Sequence, residues 1–436
     1  MAELVVDPVT RINGTATLRI VSEEAAPPEA RFSAFGYRGF ERIVSGAHLE
    51  NLLPLVSRIC GCDSVFHQVG AAMAVEKALG VETPPRLRAL RELAMHGQLF
   101  ERHAVSLSVH GLPDLLFPSS DPSLRNIVSI YRVDEEVVRR LLGIKSLGTT
   151  VLREVGGSAV HPVNFRPGGA ARDITEEGRE RLRSQLEEAR PLLVETARLI
   201  KLLLRRSEEL ASRMGNVPVP SLALRGAGGM TLLGGNAVIA SPEGAESTVL
   251  SHGELANKLL EENSPHSHVR PASLEGHGEL RVGPLARINV NGSYGTPLAD
   301  EELAEVRAQW GFPVHACLVG HALRVLEMIH AWERMRELLE EPPQGEISVA
   351  VSPAPGRGAA VLEAPEGMMV YEVEVTGEGL VKDVRLITPL QFNLRVLESS
   401  LAKVAGEMGL EGEPRTTDVL QMVVRAYAPC VPCGLH

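Results

Sequence analysis

Arg58-Ile59-Cys60-Gly61-Cys62-Asp63 and, at the far end of the chain, Pro429-Cys430-Val431-Pro432-Cys433-Gly434-Leu435-His436 hold four of the five cysteines. Thiolates bind soft and borderline metals such as nickel, zinc and iron. Cys-x-x-Cys at 430–433 can place both sulfurs on one ion, whereas Cys-x-Cys at 60–62 is tighter and less usual. If these four thiolates serve one site, the fold must bring position 60 to position 430. On spacing alone a structural zinc site leads among metals, and inert reduced cysteines are the plainer alternative. The fifth, Cys317, stands alone in an apolar stretch and reads as a small buried hydrophobe.

Between the pairs the pattern is α+β, a mostly helical core bundle with peripheral β-hairpins and small sheets. Residues 1–40 read as β-rich, with a hairpin from Leu4-Val5-Val6 to Thr15–Ile20 and a turn at Asn13-Gly14. Residues 48–142 are helical, with a helix starting at Pro84-Pro85 and broken at Pro113. Thr175 caps a long helix to about Met214, with Glu176 and Glu177 in its first turn and Pro191 as a potential kink. A short strand is expected at Ala237–Ala240, and helices at 300–310 and 315–339. Residues 346–388 read as strands (Ile347–Val351, Met368–Val375, Leu380–Ile387) with a turn at Gly377-Glu378-Gly379. Helices follow at 392–408 and 417–425. No repeat or linker divides the chain, so residues 1–436 are expected to form one domain, with the metal motif at 429–436.

Composition narrows the classes. The 436 residues carry 44 Lys+Arg against 55 Asp+Glu, a net charge of −11, which argues against nucleic-acid binding. Hydrophobic residues at 44% and charged residues at 23% suit a globular chain. No apolar run reaches membrane-spanning length, and no signal peptide is recognisable. The expected compartment is the cytoplasm, with export through a partner's signal left open.

The longer motifs point to a family. Arg58-Ile59-Cys60-Gly61-Cys62 with His67 resembles the R-I-C-G-x-C-x-x-x-H motif of nickel–iron hydrogenase large subunits. Pro429–His436 resembles their D-P-C-x-x-C-x-x-H. Asp7-Pro8-Val9-Thr10-Arg11-Ile12-Asn13-Gly14 is similar to D-P-V-T-R-I-E-G, and Arg38-Gly39-Phe40-Glu41 to R-G-F-E. His103 with Pro113-Asp114, His161-Pro162 with Pro167-Gly168-Gly169, and Val282–Arg287 complete seven matches in family order along the whole chain.

The resemblance implies that nickel is held by four cysteine sulfurs, two of them bridging to an iron that carries carbon monoxide and cyanide. Cys60 and Cys430 would be terminal, Cys62 and Cys433 bridging, with Cys433, Asp114 and Arg11 in the catalytic surroundings. Glu41 and His436 would hold magnesium or a similar ion. The implied reaction is H2 ⇌ 2H+ + 2e−. Electrons would pass through a small iron–sulfur subunit to further electron-transfer subunits, because this chain has no cysteines for a cluster. A hydrogenase-derived structural or coupling subunit with lost or altered H2 chemistry is the alternative.

Four departures cluster at the site. Asp63 stands where the bridging cysteine belongs, so either Cys62 reaches the metals or Asp63 faces them as ligand or proton relay. Asn13 replaces a proton-relaying glutamate and cannot titrate. Glu366, in Ala364-Pro365-Glu366-Gly367, replaces the arginine of A-P-R-G, and Ala428 replaces the aspartate before Pro429. His96, His110 and His321 read as core histidines, and His266 and His268 as residues of a polar loop.

Overall fold

The computed structural model describes residues 2–23, 26–410 and 414–436. The helical core expected from periodicity is present. Helices Pro85–Val105, Glu135–Gly156, Glu176–Arg206 and Gly320–Glu340 pack side by side. Gly97 and Gly148 allow the first two to approach closely: a Cβ on Gly148 would lie 2.6 Å from the Gly97 carbonyl oxygen. Thr175 caps the long helix, its hydroxyl accepting from the Gly178 N–H at 3.1 Å. That helix runs through Pro191 to Arg206, and a separate turn covers Glu208–Arg213.

The sheets are small and antiparallel. Ala2–Val6 pairs with Thr17–Ser22, which pairs with a third strand, Glu29–Ser33. The expected hairpin therefore forms, but Asn13-Gly14 is not its turn. Residues 7–16 make a long loop in which Asn13 bridges to Cys430. Gly14, at φ 102°, lies against Val431, where a Cβ would come within 2.7 Å of the valine Cβ.

A second meander joins Gly356–Ala364, Gly367–Val375 and Val381–Ile387. Its second connection is the expected Gly377-Glu378-Gly379 turn, closed by Thr376 N–H to the Leu380 oxygen at 2.9 Å. Ile347–Val351 is not a strand. It runs beside the 168–170 loop, meeting it at Ser348, and Pro353 and Pro355 delay the true strand until Gly356. The Asn236–Ala240 strand lies inside a four-stranded sheet.

Pro113 does not break its helix. Pro85–Val105 widens into a π turn, Ser106–Gly111, and continues as Leu112–Leu116, ending at Phe117. Pro113 falls in the first turn of that last segment, where a backbone N–H is least needed. Cys317 sits in a 3-10 turn just before Gly320–Glu340, buried as expected.

His96, His110 and His321 are all buried. Burial, with the Arg324 charge beside it, pushes His321 down to about 3 from 6.5. Between these values only the unfolded chain takes up a proton at this site, so its contribution to stability is lost as pH falls through that window. The His321→Gln variant should therefore lose less stability than the parent on acidification, by about 1.4 kcal/mol per pH unit. Urea unfolding of both at pH 6.5 and pH 4.5 checks this; parallel pH dependences would refute it.

Candidate metal centre

The two cysteine segments meet because several side chains tie them together. Arg38 donates through Nη2 to the Ile59 carbonyl at 2.7 Å and also to the Pro432 carbonyl. Its backbone N–H reaches the Leu435 oxygen at 3.0 Å. Val431 N–H donates to the Asn13 carbonyl at 2.9 Å, drawing the N-terminal loop in. His161 covers the other side, its Nδ1 2.8 Å from the Ser57 oxygen.

Four donor groups converge there: the sulfurs of Cys60, Cys430 and Cys433 and a carboxylate oxygen of Asp63, all within 4.8 Å of one another and all buried. Cys60 Sγ lies 3.4 Å from Cys430 Sγ, and Cys433 Sγ lies 3.2 Å from Asp63 Oδ2. Cys62 is not among them. It is exposed beside Cys60, because the 3-10 turn Gly61–Asp63 points consecutive side chains in different directions. Of the two possibilities open in the sequence, the structure brings Asp63 beside the three sulfurs and leaves Cys62 outside that group.

The fourth corner fits a metal. Asp63 Oδ1 is buried and accepts no hydrogen bond, an expensive arrangement for a carboxylate unless a cation completes it. Three soft sulfurs with one harder oxygen suit a borderline transition-metal ion. Without an ion, burial first and the Glu366 charge second raise the Asp63 carboxyl well above its usual range. Burial likewise raises Cys433, reinforced by Cys430 and Cys60. Burial also pushes Cys430 upward, but hydrogen bonds from Cys433 and Cys60 outweigh it and bring the thiol down.

Around the donors, Asn13 Nδ2 lies 3.2 Å from Cys430 Sγ and 3.7 Å from Cys60 Sγ. It can donate to thiolates but cannot take a proton from them. His67 Nε2 approaches Cys433 Sγ at 3.6 Å while its Nδ1 meets the Tyr371 hydroxyl at 2.7 Å. Burial, then the charge of His436, lowers His67 to about 3, so it is neutral at pH 7.

The reversed charge at Glu366 has a counterpart. The two-residue turn Pro365-Glu366 between paired Ala364 and Gly367 carries Glu366 inward. There its Oε1 accepts from Arg102 Nε in a buried ion pair. Arg102 Nη2 also reaches the Ala428 oxygen at 3.5 Å. Ala428 holds φ 48°, a left-handed conformation unusual for alanine. A cation has thus arrived from a different element to face the inverted position. Sequence reasoning missed Arg102; the signal was available as a charged residue immediately before His103, where the family's motif has serine.

Arg11 and Asp114 are paired, and Arg425 Nη1 binds the other Asp114 oxygen at 2.7 Å. Arg11 Nη1 takes the Val109 and His110 carbonyls at 3.2 and 3.1 Å, which the widened π turn leaves available. Glu41 and His436 also meet: His436 Nε2, buried and without a hydrogen bond, lies 3.7 Å from Glu41 Oε1. The Leu386 N–H, at 2.9 Å, occupies the same Glu41 oxygen. Burial acts to raise Glu41, but His436 and this N–H bring it below its usual value. His266 bonds Glu398 at 2.8 Å and His268 packs edge-on against Phe35, so they do not form a metal pair.

The family model described as nickel-dependent hydrogenase matches residues 38–111. The vhu-type F420-non-reducing hydrogenase protein of Methanocaldococcus jannaschii is 30% identical over 413 residues, covering 93% of this chain and 99% of that protein. The vhc-type protein of Methanococcus voltae is 28% identical over 455 residues, covering 100% of this chain and 95% of its own. The solved structure of an NAD+-reducing NiFe hydrogenase in the H2-reduced state superposes with a TM-score of 0.94 at 26% identity, covering 100% of both chains. The chain belongs to the nickel-dependent hydrogenase family. Its relatives are oxidoreductases and are named as subunits of multi-subunit hydrogenases. Among the described residues, no helix is long and apolar enough to cross a membrane.

Proposed function

We propose that this chain is the metal-binding catalytic subunit of a hydrogenase that interconverts H2 with protons and electrons. The observation that carries this reading is the convergence of Cys60, Cys430, Cys433 and the uncommitted carboxylate of Asp63. A nickel–iron pair bound by these residues, its iron carrying carbonyl and cyanide ligands, supplies the H2-activating chemistry. Cys60, Cys430, Cys433 and Asp63 would hold that group. Asn13 donates to the sulfurs of Cys430 and Cys60. Arg102 sets a positive charge beside the donors, fixed by Glu366.

Arg11 and Asp114 act by position. They bind each other, Arg425 and the π turn, and so seat the loop that carries Asn13. Glu41 and His436 take a magnesium-type ion, with His436 Nε2 as the free donor. Electrons leave to an iron–sulfur partner subunit, in keeping with relatives named as one subunit of several. The retained donors speak against a purely structural subunit, because three buried thiols and a buried carboxyl are costly to keep without an ion.

The purified complex should give one metal-carbonyl and two cyanide bands in the infrared. A blank spectrum from folded, cysteine-intact protein would overturn the nickel–iron reading.

A further inference from the structure

The helix Pro414–Tyr427 delivers the chain to Cys430 through Ala428 and Pro429, two residues outside any helix or strand. Ala428 holds φ 48°, and Pro429 has no N–H to offer, so no regular backbone ladder carries this link to the cysteines. Two arginines from other helices hold its carbonyls. Arg324, on Gly320–Glu340, donates through Nη2 to the Ala426 oxygen at 2.7 Å. Ala426 lies in the last turn of its helix, where carbonyls lack an intrahelical partner. Arg102, on Pro85–Val105, reaches the Ala428 oxygen at 3.5 Å.

Both arginines are buried, and buried cations are costly to hold together without an anion between them. Glu366 supplies that anion. Its Oε1 accepts from Arg102 Nε. Its Oε2 and Arg324 Nη1 make no hydrogen bond, and the two side chains line one cavity of about 20 Å³. Burial lowers Arg324 to about 10, and of the charges around it Glu366 opposes this most. One carboxylate thus serves two arginines, and each arginine holds a carbonyl of the link that leads to Cys430. Against the family's serine, arginine and aspartate at these places, Arg102, Glu366 and Ala428 form one exchange. The anion stands at 366, the cation at 102, and position 428 takes part through its backbone carbonyl alone.

We propose that Arg102, Glu366 and Arg324 form a clamp that positions the Cys430–Cys433 donor segment, with Glu366 as the shared counter-ion of the two arginines. Its purpose rests on the hydrogenase reading above. Glu366 is a positioning residue that acts through Arg102 and Arg324.

The first test separates charge from shape at position 366 in the intact complex. Glu366→Gln keeps the shape and removes the charge, whereas Glu366→Asp keeps the charge and loses a methylene. Nickel affinity should fall by about 10–100-fold in Glu366→Gln, the scale of an outer partner of a metal ligand. Glu366→Asp should lie between that variant and the parent; a packing role would give the reverse order. Amide hydrogen exchange, read on the full chain purified without nickel, is the second test. The Val431 and Gly434 N–H groups donate to the Asn13 and Cys430 oxygens. Their exchange should speed up by about tenfold in Glu366→Gln, the scale of one lost hydrogen bond, while the helices Pro85–Val105 and Gly320–Glu340 exchange as in the parent. Where Glu366→Gln fails to fold, Arg102→Lys takes its place. It keeps the positive charge but lacks the fork that reaches Glu366 and Ala428 together, so it should loosen the same two amides. Nickel affinity and exchange within twofold of the parent in Glu366→Gln, tighter nickel in Glu366→Gln than in Glu366→Asp, or loosening shared equally by both helices would overturn the clamp. So would parental exchange at both amides in Arg102→Lys. A parent complex without nickel would remove the hydrogenase reading alone, because the exchange comparison needs no ion.

Discussion

Replacing Asp63 by alanine should strip the chain of most of its nickel, whereas replacing Cys62 by alanine should leave the metal in place. Asp63 is 1% exposed, offers Oδ2 to Cys433 at 3.2 Å, and keeps Oδ1 uncommitted. Cys62 is exposed and lies outside the converging donors. Removing an outer partner of a metal ligand costs about 10–100-fold in affinity, and removal of a direct donor costs more. Asp63→Cys should retain the ion, because it restores a fourth sulfur at the same place. Nickel and iron analysis of the purified variants checks all three. Loss of metal from Cys62→Ala with retention in Asp63→Ala would return Cys62 to the centre and require the 60–63 turn to rearrange on loading.

The Arg287→Met variant should lose roughly 3–5 kcal/mol of stability, the cost of leaving a buried ionic partner unpaired. Arg287 is completely buried, as are Glu327 and Glu363, and it binds both carboxylates. Glu327 is also bound by His103 at 2.7 Å. Burial acts against the charge of Glu327, but Arg287 and His103 hold the carboxyl down at about 2. Burial instead takes Glu363 up to about 7, so most of the loss comes from Glu327. The same guanidinium donates to the Ala364 and Pro365 carbonyls, each at 2.9 Å. The variant should therefore also loosen the turn that presents Glu366. Urea unfolding at pH 7 measures the first effect. A loss below about 1 kcal/mol, the scale of an exposed pair, would mean that the network relaxes or takes up water.

Much of the fold is legible in the sequence where a local cause acts alone. The Thr175 cap, the proline start at Pro84-Pro85 and the Gly377–Gly379 turn depend on a few neighbouring residues, and each forms as expected. The failures occur where a distant partner outweighs local preference. Asn13-Gly14 reads as a turn but is held open by Cys430 and Val431 from the opposite end of the chain. Ile347–Val351 has the composition of a strand, yet its backbone groups are taken by residues 168–170. Pro113 looks like a stop, but the π turn before it absorbs the misfit and frees carbonyls for Arg11.

The sequence by itself determined the family, the cysteine pairs, and the pairing of Glu41 with His436, because motif order along a chain survives without coordinates. It also marked Asn13, Asp63, Glu366 and Ala428 as the departures. Only the tertiary structure placed Asp63, and not Cys62, beside the other three donors. Adjacent residues in a tight turn differ in direction rather than in spacing, and direction is set by the surrounding packing. Only the tertiary structure, likewise, paired Glu366 with Arg102, 264 residues apart. A buried charge selects its partner through space at low dielectric, and no local pattern in the sequence records that choice.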